Sequence, residues 1–141
     1  MLKINSKINN KLLHIVYSIN NVEDRIDLID ESEFLQCSVV LKNEIGYKFN
    51  AHKHLSKSLK SKTVMTQESW FVYKGKIRVY HYDLDDNLIN TSILESGDIN
   101  ITLAGGHTLE ILEKNTIILE HKNGPYLGFK SDKTMLNKNK L

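Results

Sequence analysis

One cysteine, one proline and one tryptophan occur among 141 residues, and each scarcity excludes something. With Cys37 alone, no disulfide forms within the chain. The fold then relies on its own core, and a reducing compartment, the cytoplasm, is expected. Pro125 is the single proline, and no Pro- or Gly-rich linker divides the chain. No run reaches the roughly 18 consecutive apolar residues of a membrane span, so none is expected. The opening MLKINSKINNKLLHIVYSINN lacks an uninterrupted apolar stretch and a small-residue cleavage site, so no secretory leader is expected. The formal charge is only +2, and basic residues interleave with few aromatics, so no nucleic-acid partner is expected. The nucleophile elbow of serine hydrolases, the Walker phosphate loop and the glycine-rich dinucleotide fingerprint are all missing.

What is present reads as one all-β domain. A chain of this length can bury about 70% of its unfolded surface, enough for a real core. The first 20 or so residues, rich in Asn and Lys, suit an opening strand or a short helix. A helical turn is expected near Glu31–Phe34, capped by Asp30 or Ser32. From CSVVLKN onward short strands alternate with turn chemistry: GYKFNAHKH, SWFVYKGKIRVYHYD hinged at Lys74–Gly75, INTSIL, INITL, TLEIL and TIILEHKN. Strands at such spacing indicate a sandwich or barrel. The expected layout is an N-terminal extension over 1–34, a barrel over 35–128 and a loose polar tail over 129–141.

Strand parity selects a constellation. His52 and His54 point to one side and Lys53 to the other, with the two imidazoles about 7 Å apart along the strand. Glu68 shares a face with Trp70 and Val72, and His107 shares one with Leu109 and Ile111. If these faces are interior, Glu68 is a carboxylate in apolar surroundings, costly unless paired or metal-bound. Three imidazoles and one carboxylate suit Zn, Fe, Mn, Ni or Co with a position left open. Taken singly, each residue has a plain alternative: a surface His-x-His, a strand-end charge, a loop histidine.

The order of these residues resembles the cupin superfamily over Leu35 to Gly128. Gly46 precedes His52 by five residues, His54 closes the His-x-His, and Glu68 precedes Gly75 by six. A second motif runs from Gly97-Asp98 through INITL to AGGH, ending at His107. The resemblance implies a double-stranded β-helix (jelly-roll) barrel with one divalent transition metal on His52, His54, Glu68 and His107. Two departures stand out. The spacer between His54 and Glu68 is thirteen residues, far longer than usual, which implies a reshaped barrel mouth. Leu103 stands where proline is typical, and the bend before His107 is one residue shorter. The chain also resembles small bacterial cupins linked with surface-polysaccharide or sugar-nucleotide genes, and a homodimer is implied.

The expected ligand is a small anionic or sugar-derived metabolite. Lys53, Lys57, Lys60, Lys62 and Arg78 are candidates to bind it, the lysines as a positive field at the mouth. Glu120 is a candidate general base, with Lys122 or Tyr126 positioning a substrate oxygen; alternatively Glu120 and Lys122 form a cross-strand ion pair of little consequence. Which face of that strand is inward stays open, since Leu119 competes with Ile118 for the core. Isomerisation or epimerisation suits such a site. A metal-dependent oxygenase and a non-catalytic binding or sensing module remain alternatives, because fold resemblance does not decide function.

Overall fold

The computed structural model describes residues 1–59 and 62–136. In chain order the strands are β1 (Leu2–Asn5), β2 (Leu12–Val16), β3 (Arg25–Asp27), β4 (Leu35–Lys42), β5 (His52–His54), β6 (Ser56–Leu59) and β7 (Lys62–Met65). They continue with β8 (Glu68–Lys74), β9 (Lys76–Tyr82), β10 (Leu88–Glu95), β11 (Ile99–Thr102), β12 (Gly106–Ile111) and β13 (Thr116–Asn123). A one-turn helix α1 (Phe129–Asp132) and β14 (Lys133–Met135) follow. All pairings between these strands are antiparallel.

Two five-stranded sheets carry the fold, ordered β10-β9-β12-β5-β14 and β11-β8-β13-β4-β3. Alternating residues of both sheets meet between them: Ile77, Val79, Leu94, Leu109 and Ile111 from the first, Trp70, Val72 and Ile118 from the second. Burial of each such side chain contributes about 1.5–3 kcal/mol, so this apolar interface dominates stability. Ile118 is inside and Leu119 only half-buried, which settles the inward face of β13 and turns Glu120 and Lys122 inward with it. The architecture is the expected double-stranded β-helix.

Several local expectations are corrected. GYKFNAHKH is not one continuous strand: only a bridge from Lys48 to Glu110 precedes β5. No helical turn forms at Glu31–Phe34; Asp30 Oδ1 instead accepts from the Ser32 amide (2.9 Å) and hydroxyl (2.5 Å), a local turn that competes with helix. Of the two readings of the opening residues, the strand is the one observed, in a separate hairpin, β1–β2. The expected N-terminal extension and C-terminal segment each add a strand to a sheet. β3 pairs with β4, and β14 pairs with β5. The tail is not loose through residue 136, where Asp132 and Leu136 are buried. Leu136 packs so closely over Gly106 that a Cβ there would meet its methyl groups at 2.8–2.9 Å. Lys138 and Lys140 lie outside the described residues.

The β8–β9 hinge depends on Gly75. Its φ is +89°, and a Cβ would come within 2.9 Å of the Thr116 Cα and overlap its hydroxyl. Gly46 also has a positive φ, +84°, but faces open space. Gly46→Ala should therefore cost about 1 kcal/mol of backbone strain. Gly75→Ala should cost about 1–3 kcal/mol more, through steric overlap. Denaturant unfolding of both variants checks this; equal losses would contradict it.

Candidate metal centre

Three short strands and a register bring four side chains to one end of the barrel. In β5, His52 and His54 point inward and Lys53 outward. The β12–β5 register sets His107 directly opposite His52. Glu68 opens β8 in the other sheet, across from Lys122. One ligand atom from each of His52, His54, Glu68 and His107 lies within 4.8 Å of all the others, and all four residues are buried. The His52 and His107 Nε2 atoms are 3.3 Å apart. Glu68 Oε2 lies 3.1 Å from His54 Nε2 and 2.9 Å from His107 Nε2. Trp70 packs against the His107 ring, with centroids 4.4 Å apart.

The outer edges of the rings show which nitrogens are available. His52 Nδ1 is 2.8 Å from the Asn50 carbonyl. A carbonyl only accepts, so Nδ1 donates and the neutral ring keeps a lone pair on Nε2, facing the cluster. His107 Nδ1 is 2.7 Å from the Thr102 hydroxyl, an oxygen able to accept its proton. Both rings thus aim Nε2 inward and are oriented from behind, as metal-binding imidazoles are. Three inward nitrogens and a carboxylate oxygen at this spacing fit a divalent transition metal; they do not select one.

Electrostatics divide the histidines. Burial, reinforced by Lys133 and His107, pushes His52 down to about 3. Burial alone would depress His54 too, but the carboxylates of Asp132 and Glu68 outweigh it and raise it to about 9. Burial would raise Glu68; the contacts with His107 and His54 instead hold it well below the ordinary carboxylate range.

The cluster borders a cavity of about 360 Å³, which His52, Glu68 and Trp70 line at the metal end. Val40, Phe49, Leu109 and Ile118 form its apolar wall. Arg25, Ser38, Glu120, Lys122, Tyr126 and Lys133 supply polar groups. Glu120, Lys122 and Tyr126 therefore face the same space as the candidate metal ligands. Arg25 holds Glu120 Oε1 at 2.9 Å and the Ser38 hydroxyl at 2.8 Å. Lys122 reaches Asp132 at 3.0 Å and stands 5.0 Å over the Tyr126 ring.

The cations expected at the mouth are elsewhere. Lys53 points away from the ligands and pairs with Asp86 at 2.7 Å. Arg78, on the face opposite core residues Ile77 and Val79, pairs with Glu110 at 3.1 Å. Lys57 is buried against Asp132 at 2.6 Å. Lys62 is exposed on β7, and Lys60 lies outside the described residues. None of Lys53, Lys57, Lys62 and Arg78 lines the cavity. The reason is that the spacer is not a loop over the opening but the β6–β7 hairpin. Arg25, Lys133 and Asp132 were not anticipated: each sits on a strand or helix of three or four residues, too short to show periodicity.

No protein-family model matches the chain, and no curated protein matches it in sequence. Solved structures do resemble it. The capsular polysaccharide assembling protein CapF from Staphylococcus aureus is 18% identical over 83% of this chain and 33% of its own, with a TM-score of 0.65. An uncharacterised protein with a double-stranded β-helix domain from Klebsiella pneumoniae is 14% identical, covering 89% of this chain and 100% of its own, with a TM-score of 0.62. Oxalate decarboxylase from Bacillus subtilis is 18% identical over 74% of this chain and 24% of its own, with a TM-score of 0.57. The chain thus spans about a third of CapF and a quarter of the decarboxylase. At these identities the likeness establishes the fold, which is that of the cupins.

The opposed histidine shifts make a prediction for chelator-treated protein. Below pH 6.5 the unfolded chain takes up a proton that folded His52 refuses until about pH 3, so stability falls as pH falls. Folded His54 keeps its proton to about pH 9, so its contribution is full below 6.5 and is lost as pH rises through 9. The thermal midpoint should peak near pH 6.5, and His54→Gln should remove the alkaline decline. A midpoint that rises from pH 6.5 to 9 would contradict the assignment.

Proposed function

We propose that this cupin-fold chain is a metal-dependent protein that takes a small anionic or sugar-derived metabolite, with isomerase- or epimerase-like chemistry in polysaccharide-precursor metabolism. The observation that carries the proposal is the convergence of His52, His54, Glu68 and His107 within 4.8 Å beside a cavity the size of a small metabolite. A bound divalent ion (Zn, Fe, Mn, Ni or Co) would supply Lewis-acid polarisation of a carbonyl or hydroxyl oxygen. The chain's own residues do the rest. Glu120, oriented through Oε1 by Arg25, takes a proton from the substrate and returns it to complete the isomerisation, while Lys122 or Tyr126 holds a substrate oxygen.

The anion preference rests on Lys133. It lines the cavity next to His52 and makes no ion pair among the described residues. Lys53, Lys57 and Arg78 are committed to partners away from the cavity, so the binding role proposed for them passes to Lys133 and Lys122. The polysaccharide setting is supported by the likeness to CapF, whose own description is capsular polysaccharide assembly. A half-buried, unpaired Cys37 suits the cytoplasm. A homodimer is supported by the exposed apolar groove of Phe34, Leu35, Ile99 and Ile101. Among the described residues no helix is long and apolar enough to cross a membrane.

A second reading, a ligand-binding or sensing module without turnover, is favoured by one observation. The candidate base and the lysine beside it are already engaged, Glu120 by Arg25 and Lys122 by Asp132. An oxygenase is the third reading if the ion is iron. Protein purified without a metal-binding tag should carry about one ion per chain by elemental analysis, and His107→Ala should lose it. Incubation with sugar nucleotides and small carboxylates then separates the classes: metal-dependent turnover marks an enzyme, and stabilisation without turnover marks a binding module. Wild-type protein free of metal and unable to bind it would end the proposal. Lys133→Met should weaken binding of the anionic ligand about tenfold with metal content unchanged.

A further inference from the structure

The long insertion between His54 and Glu68 and the C-terminal segment meet at a buried carboxylate behind the metal centre. Asp132, at the end of α1, has 0% side-chain exposure. Lys57, carried inward by β6 and equally buried, lies 2.6 Å from its Oδ1. Lys122 lies 3.0 Å from its Oδ2. Lys57 also donates to the Pro125 carbonyl at 3.0 Å. Two fully or largely desolvated cations on one carboxylate are an expensive arrangement for pinning a chain end, which an apolar contact such as Leu136 on Gly106 does without desolvating charge.

The third neighbour of Asp132 gives the arrangement a purpose. His54 Nδ1 is buried without a hydrogen-bond partner among the described residues, and Asp132 Oδ2 lies 3.6 Å away. The backbone keeps the two side by side: His54 pairs with Lys133, and the Leu55 amide donates to the Asp132 carbonyl at 2.9 Å. His52 and His107 have a backbone carbonyl and a hydroxyl behind their Nδ1 atoms; among the described residues His54 has only this carboxylate. Once Nε2 gives its lone pair to an ion, the ring proton must sit on Nδ1, and a buried N–H without an acceptor is costly.

We propose that Asp132 is a positioning residue for His54: its carboxylate accepts a hydrogen bond from Nδ1–H and turns Nε2 toward the ion, and the Lys57 hairpin and Lys122 hold that charge in place. The inference rests on the metal reading above. It assigns the insertion to the back of a ligand rather than to the cavity's opening.

Zinc affinity by titration calorimetry at fixed pH tests it, with the full-length wild type first; failure of the wild type to bind ends the metal reading itself. Given wild-type binding, Asp132→Asn should weaken affinity about 10–100-fold, since the amide keeps the size but loses the charge. Lys57→Met should lower the thermal midpoint yet change affinity less than about threefold, because Asp132 stays anchored by Lys122 and by its backbone. Equal affinity in Asp132→Asn and wild type, or equal losses in both variants, would reduce Asp132 to a structural pin. Should Asp132→Asn not fold, histidine ring NMR of zinc-loaded wild type decides. A slowly exchanging Nδ1–H on His54 is expected; metal on Nδ1, or a rapidly exchanging Nδ1–H, overturns the proposal.

Discussion

The whole centre depends on keeping one carboxylate ionised inside a protein. Glu68 is 5% exposed and sits one strand position from the apolar interior that begins at Trp70. An isolated charge there would revert to its neutral form. Contacts with His54 and His107 oppose that, and hold Glu68 well below the ordinary carboxylate range. Because Glu68 comes from one sheet and the histidines from the other, this interaction also fixes how the two sheets meet at the cavity end. The apolar core sets the distance between the sheets; the carboxylate determines what faces it there.

The same group of side chains has more lone pairs than protons. His52 must donate through Nδ1 to a carbonyl, so its Nε2 is bare, and it faces the Nε2 of His107 at 3.3 Å. The proton that His54 keeps to about pH 9 is directed at Glu68, and His52 and His107 still need a second one between them. A cation satisfies all four donors together, which is the physical sense in which the geometry suits an ion better than a structural hydrogen-bond cluster.

How far this was legible in the sequence follows from the length over which each signal extends. Parity within His52-Lys53-His54, Glu68-Ser69-Trp70 and His107-Thr108-Leu109 assigns the ligands to inward faces, because alternation needs only three residues. The long β13 shows Glu120 and Lys122 on one face, although the choice between Ile118 and Leu119 needs the partner sheet. Arg25, Asp132 and Lys133 lie on elements of three or four residues, and their roles come from pairings across more than ten positions, Arg25 with Glu120 above all. Lys57 is the instructive failure: in a lysine-rich stretch a solvated or steering role is the ordinary reading, and only the inward turn of β6 makes it the buried partner of a carboxylate.

That failure bears on how the chain departs from its fold relatives. An insertion beside a barrel opening invites a role in admitting ligand, yet the cations that face the cavity, Arg25, Lys122 and Lys133, come from three strands of the two sheets. The insertion contributes Lys57, whose ammonium and the Asp132 carboxylate cancel in charge. Lys122 adds a further unit beside them, so the back of His54 carries a net positive charge at its own partner carboxylate. The cavity wall itself carries both signs, with Arg25, Lys122 and Lys133 set among Asp27, Glu31, Glu68 and Glu120. In the proposed reading, selection of a negatively charged ligand and orientation of His54 share one residue, Lys122, which touches Asp132 on one side and lines the cavity on the other. Changes at that lysine should disturb both functions together.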